Sequence, residues 1–320
     1  MSLDPNGVTQ SVEETSPSTA DSLVITQTRA ARLEPGAVQM LSKSPGERAH
    51  YIEQDRMIIC PASKSVLVQA AWMFNERPHG RARGFVVTSK PGNGKSSLAG
   101  AVQRELKPYD GGAGPCVLSI SMSGVRDART VYGRLMELLG SPARISHRLS
   151  DREMLAVRLL KAVNCRLLVL DEVQDLLQGS EREQQRALEG IKFLMNQLSL
   201  PVLAFGTDKA AQAFASDPHL AARFTEIQLP AWKADNTLAN FLATYERFLP
   251  LAKASNLAEQ QKVAFLAKVS GGVLDVIVQR LQNAALMAIR DGTECITLQL
   301  LEKAVSRPTD WALEQFKGVK

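Results

Sequence analysis

The sequence predicts an α/β fold, with a parallel sheet of the P-loop kind flanked by helices and followed by a small all-helical lid. Three observations carry this reading. The apolar run "GFVV" (84–87) passes through the glycine-rich "SKPGNGKSS" (89–97) into "LAGAV" (98–102), which is the order strand, turn, helix. Short, continuously apolar segments then alternate with amphipathic ones as far as "PVLAFG" (201–206), the pattern of strands buried on both faces. From Asp235 onward the strand signals stop.

Residues 1 to about 45 are rich in Ser, Thr, Pro, Glu and Asp with one apolar patch, "LVIT" (23–26), and read as a disordered polar tail. Val66, Ala70, Met73 and Phe74 recur at helical spacing in a segment that ends at Pro78, so a helix precedes the first core strand. After "GFVVTS" come helix "SSLAGAVQREL", strand "CVLSISM", helices "ARTVYGRLMELLG" and "DREMLAVRLLKAV", strand "RLLVLD", helix "REQQRALEGIKFLMNQL", strand "PVLAFG" and a short helix at "KAAQAFA". A further strand follows Arg223. The lid consists of "NTLANFLATYERFL", "AEQQKVAFLAKV", "VLDVIVQRLQNAALMAI" and "TLQLLEKAV". The expected boundaries are a tail at 1–45, an α/β domain at 46–232, the lid at 233–305 and a C-terminal tail at 306–320. In that last segment Trp311, Leu313 and Phe316 suit either a docking segment or a final packed helix.

A chain of 320 residues with 45% hydrophobic content has enough apolar material for a sizeable core. The formal charge of +5 permits a polyanionic partner without identifying one. No apolar stretch approaches the roughly 18 residues of a membrane span, and no secretion signal is legible, so a cytoplasmic location is expected. The four cysteines show no C-x-x-C pairing and read as small core residues. The four histidines form no ligand pair. Trp72, Trp232 and Trp311 read as packing anchors.

The glycine-rich turn matches G-x-x-x-x-G-K-[ST] in its last three places, Gly94, Lys95 and Ser96, while Ser89 stands where the first glycine belongs. Ser89, Lys90, Pro91, Gly92, Asn93, Gly94, Lys95, Ser96 and Ser97 are therefore the expected ATP-binding residues. Gly92 and Gly94 allow close backbone approach, Lys95 reaches the terminal phosphates, and the Ser96 hydroxyl serves Mg2+. "CRLLVLDEVQDLL" ends an apolar strand in acids, with Asp171 for the metal and Glu172 to polarise the attacking water. Thr207 ends the next strand, where it suits either a γ-phosphate contact or a helix N-cap. Arg223 suits either an arginine projected across a subunit interface or an ordinary surface position.

The set "YIEQDRMIICPA", "SKPGNGKSSLA", "LLVLDEVQDLL", "FGTDKA" and "DPHLAARFTEIQLPAW" resembles the TniB/TnsC family of AAA+ transposition regulators over residues from about 48 to 305. The resemblance implies an ATPase that assembles as a homo-oligomeric ring or filament on duplex DNA. It further implies recruitment of a transposase and of a target-selection protein of the TniQ type, with hydrolysis dismantling the assembly. By position it assigns Lys95, Ser96, Asp171, Glu172, Thr207 as sensor and Arg223 as the trans-acting arginine. Two departures stand out: Ser89 in the loop, and Val273 where some relatives carry a lid arginine, with Arg280 roughly two turns further on. These departures imply slow, regulatory turnover. By the same resemblance DNA contact falls to Arg126, Arg129, Arg144 and Arg148, which also suit a solvated basic face. Two other functions share parts of this pattern: a helicase loader of the IstB/DnaC type, and an ATP-gated switch that does not touch DNA.

Overall fold

Strand β1 (Gly84–Thr88) pairs in parallel with β4 (Val202–Gly206) on one side and β5 (Phe224–Gln228) on the other. Beyond β4 lie β3 (Cys165–Asp171) and then β2 (Cys116–Ser121), giving the order β2-β3-β4-β1-β5 in a computed structural model that describes residues 29–75, 81–112, 114–141 and 148–308. All four pairings are parallel. The register levels the strand ends. Ala204 is matched by Val86 on one side and Leu170 on the other, so Thr88, Gly206 and the residue after Asp171 share one edge of the sheet.

Alternate strand residues enter opposite layers, as period-2 geometry requires. Leu167, Val169, Leu203 and Phe205 pack with Val66, Ala70 and Met73 of α3 (Pro61–Asn75) and with Leu98 and Val102 of α4 (Lys95–Glu105). Leu168, Leu170, Val202 and Ala204 face the other layer. That layer holds α5 (Ala128–Leu138), α6 (Leu149–Ala162), α7 (Glu181–Leu198) and α8 (Asp208–Ala215). A short α9 (Pro218–Ala221) precedes β5. Burial on both faces explains why these strands read as continuous apolar runs. Trp232 packs its ring 4.9 Å from that of Phe241, whereas Trp72, expected as an anchor, is half-exposed on α3 because it lies off the stripe formed by Val66, Ala70 and Met73. Cys116 is buried and Cys60, Cys165 and Cys295 are partly buried, all as free thiols.

The remaining helices are α1 (Pro35–Met40), α2 (Pro45–Ile52), α10 (Asn236–Glu246), α11 (Gln260–Ser270), α12 (Leu274–Arg290) and α13 (Leu298–Lys303). The chain divides into two compact units along lines that differ from linear boundaries at 232 and 305. The larger unit takes Asp55–Thr244 and Leu257–Leu281, and the smaller takes the segment up to Gln54, Tyr245–Asn256 and the segment from Gln282.

Part of the segment expected as a polar tail to residue 45 is folded. Residues 29–45 belong to the smaller unit, with Leu33 and Ala37 buried and α1 formed. Arg29 is held by Glu246, 3.3 Å away, and donates to the Leu251 carbonyl at 3.3 Å. Arg48 of α2 meets Glu294 at 2.5 Å and donates to the Pro250 carbonyl. Average composition hides this order, because the partners of Arg29 and Arg48 arrive from more than 200 residues away. Residues 1–28 and 309–320, including the expected docking residues Trp311, Leu313 and Phe316, lie outside the described residues.

Candidate functional site

The chain leaves β1 at Thr88, turns through Ser89–Gly94 and enters α4 at Lys95. Gly92 and Gly94 sit at φ +74° and +75°, which side chains disfavour. Ser89 is buried and has no positive φ, so the loop closes without the template's first glycine. Lys95, only 6% exposed, donates from its ammonium to the Ser89 and Lys90 carbonyls at 3.2 and 3.0 Å and to the Ser89 hydroxyl at 3.2 Å. Burial lowers its pKa, opposed by Glu172, Asp171, Asp208 and Asp275.

On the far side of β4, β3 delivers Asp171 and Glu172. The Asp171 carboxyl is pushed up by burial and held back by hydrogen bonds from the Ser96 hydroxyl and the Glu172 amide, the latter at 3.0 Å. Ser96 and Asp171, expected as the metal pair, therefore lie on the same side of the site, near enough for the hydroxyl to lower the carboxyl's pKa. Glu172 adopts a left-handed backbone, φ +58°, uncommon for a residue with a side chain. Thr207 occupies the N-cap of α8 yet makes no side-chain capping bond. Because β4 lies between β1 and β3, Thr207 emerges between the loop and the acids.

Two contacts at this edge were not legible beforehand. The Gln174 side chain donates to the Glu172 carboxylate and accepts from the Thr207 amide at 3.0 Å. The start of α12 packs on the loop: the Leu274 amide donates to Asn93 Oδ1 at 3.0 Å and the Asp275 amide to the Gly92 carbonyl at 2.9 Å. At this contact the helix presents Val273 and Asp275 rather than an arginine. Single side chains distant in sequence leave no spacing signal, which is why neither contact was anticipated.

The loop fits a polyphosphate. It exposes amides at a helix N-terminus, carries a buried ammonium, and holds Asn93 Nδ2 buried without a hydrogen-bond partner among the described residues. The Ser96 and Asp171 oxygens fit Mg2+. Among the described residues no cluster of His, Cys, Asp and Glu suits a metal held by protein alone, and no helix is long and apolar enough to cross a membrane.

Arg223 precedes β5 and so stands at the opposite end of the sheet from the loop, about 16 Å away along five residues of strand. Its guanidinium donates to Asn196 Oδ1 at 2.7 Å. Arg126 and Arg129 are exposed around the start of α5, and Arg148 is exposed at the start of α6. Arg144 lies outside the described residues. Arg129 borders an open groove of about 920 Å³ that it shares with Arg134, Arg152, Asp127 and Glu137. Arg134 and Arg152 were not anticipated, since their place at this groove comes from helix packing rather than from a motif.

The fold and site define a P-loop protein of the AAA+ class. Solved structures with this fold include ORC2 of Aeropyrum pernix in ADPNP and ADP complexes, at TM-score 0.56 and 16% identity over 85% of this chain and 74% of that one. Cdc6p of Pyrobaculum aerophilum aligns at TM-score 0.58 and 15% identity over 80% and 69%. Drosophila ORC bound to DNA aligns at TM-score 0.58 and 15% identity over 89% and 73%. Residues 48–234, more than half of the chain, match the family described as bacterial TniB protein, and the chain belongs to that family. No curated protein sequence matches it.

Proposed function

We propose that this protein is an ATP-hydrolysing regulator of DNA transposition, which oligomerises on duplex DNA and recruits a transposase and a TniQ-type target-selection protein. The observation that carries the reading is the convergence of Lys95, Ser96 with Asp171, Glu172 and Thr207 on one carboxyl edge of the sheet. Membership of the TniB family supports transposition over helicase loading.

Ser89–Ser97 hold the phosphates, with Lys95 bound to the terminal ones and Ser96 and Asp171 on the metal. Bound Mg2+ supplies charge neutralisation at the transferring phosphoryl group. Glu172 orients the attacking water and draws its proton, and Thr207 contacts the γ-phosphate. Arg223 cannot reach its own site from the far end of the sheet, so it serves a neighbouring subunit. With Val273 and Asp275 rather than an arginine against the loop, that contact brings no cation to the phosphates, and turnover is slow. Arg126, Arg129, Arg144 and Arg148 contact DNA phosphates.

The test measures ATP hydrolysis with and without duplex DNA, together with imaging for filaments. The reading requires DNA-dependent assembly with ATP. Affinity should fall steeply with salt, and alanine at the four arginines should flatten that dependence by up to about one logarithmic unit per lost phosphate contact. An unchanged salt dependence in that variant places the DNA surface elsewhere.

A further inference from the structure

Gln174 lies in the 3-10 turn Val173–Gln178 that follows the two acids. Its carboxamide orientation is fixed by chemistry, since a backbone N–H can only donate and a carboxylate only accept. Oε1 therefore faces the Thr207 amide at 3.0 Å and Nε2 faces the Glu172 carboxylate. One side chain thus ties the end of β3 to the end of β4. Gly206 leaves the space for it: a Cβ there would stand 2.6 Å from Gln174 Oε1 and 2.6 Å from the Ala210 Cβ.

We infer that Gln174 is a positioning residue that aims the Glu172 carboxylate at the attacking water and couples that aim to Thr207. This inference rests on the hydrolytic reading of Glu172. The carboxylate stands at the end of a side chain with three rotatable bonds, on a backbone in the left-handed region. The amide donor selects one rotamer of that side chain. Because the same amide group accepts from Thr207, a shift of the β4 end at the phosphate moves the clamp and, with it, the carboxylate. Contact at the γ-phosphate and activation of water then become one event.

The experiment uses the full chain with Gln174→Met, which keeps the length and loses both bonds, and Gln174→Glu, which keeps the acceptor for Thr207 and loses the donor to Glu172. Each is made in the parent and in Glu172→Gln. Expected for Gln174→Met is a kcat lower by on the order of tenfold to a hundredfold, with nucleotide Kd within about twofold. The Thr207 amide should exchange with deuterium measurably faster. Gln174→Glu should lose kcat at pH 8 while Thr207 keeps its protection. Neither substitution should lower the residual rate of Glu172→Gln further, because a residue that acts through Glu172 has nothing left to aim. Parent-level hydrolysis in a folded Gln174→Met, or the same proportional loss in the Glu172→Gln background, overturns the inference. Undiminished hydrolysis in Glu172→Gln alone removes the reading beneath it, and that arm is scored separately from the Gln174 arms.

Discussion

Two regions bury charge in opposite ways. In the smaller unit the Arg48 guanidinium makes two bonds to Glu294 and two to the Pro250 carbonyl, and Glu294 also accepts from the Ala252 amide. Burial pushes the Glu294 carboxyl up, but these bonds outweigh it and hold the pKa below the ordinary value. At the nucleotide edge the balance reverses. Burial drives Lys95 down and Asp171 up, so both lean toward their neutral forms despite each other's proximity. A compensated buried charge holds a fold together. An incompletely compensated one is poised to gain a partner, which is why perturbed groups gather at functional sites.

The largest expected effect is at the nucleotide edge. Lys95→Ala should abolish nucleotide binding, whereas Glu172→Gln should bind normally and hydrolyse at least about 10³-fold more slowly, trapping the ATP state. Nucleotide binding and phosphate release measure both, and equal affinity in Lys95→Ala and the parent would sink the assignment. Arg223→Ala should cost about 10³-fold in hydrolysis while leaving binding intact. Mixing it with Glu172→Gln subunits should restore part of the rate, since sites that pair an intact glutamate with a neighbour's arginine then form. No recovery at any ratio, with co-assembly verified, argues against action in trans.

The contrast itself is tested by stability. Arg48→Met takes the guanidinium bonds from the Pro250 carbonyl and from Glu294, which keeps only the Ala252 amide, and should cost about 3 kcal/mol. Lys95→Met removes a charge that folding disfavours and should leave Tm unchanged or raised, as is common for groups kept for function. Thermal melts decide, and an equal loss in both variants erases the distinction. The smallest effect is in acid. Because the folded Glu294 pKa lies below its unfolded value, the pair's contribution is full above about pH 4.3 and is lost as pH falls through the folded value. Melts from pH 3 to 7 should show this loss in the parent and a flatter profile in Glu294→Gln.

Local pattern made much of this molecule legible. The strand-turn-helix at 84–105 and the acid-ended β3 follow from apolar runs and from residues that serve a backbone or a phosphate by their own chemistry. The apolar runs of β1 to β4 need only burial on two faces, which every such strand shares. The fold of residues 29–45 escaped composition because its anchors, Glu246 and the Leu251 carbonyl, are remote in sequence.

The sequence by itself determined which residues are chemically equipped for phosphate and metal, since a lysine, a hydroxyl and two carboxylates carry those capacities wherever they stand. Only the tertiary structure decided that they meet. Inserting β4 between β1 and β3 brings Thr207 between the loop and the acids, lets Gln174 span from Glu172 to Thr207, and leaves Arg223 at the far end of the sheet. Strand order is a property of packing between segments far apart in the chain, and no local periodicity encodes it.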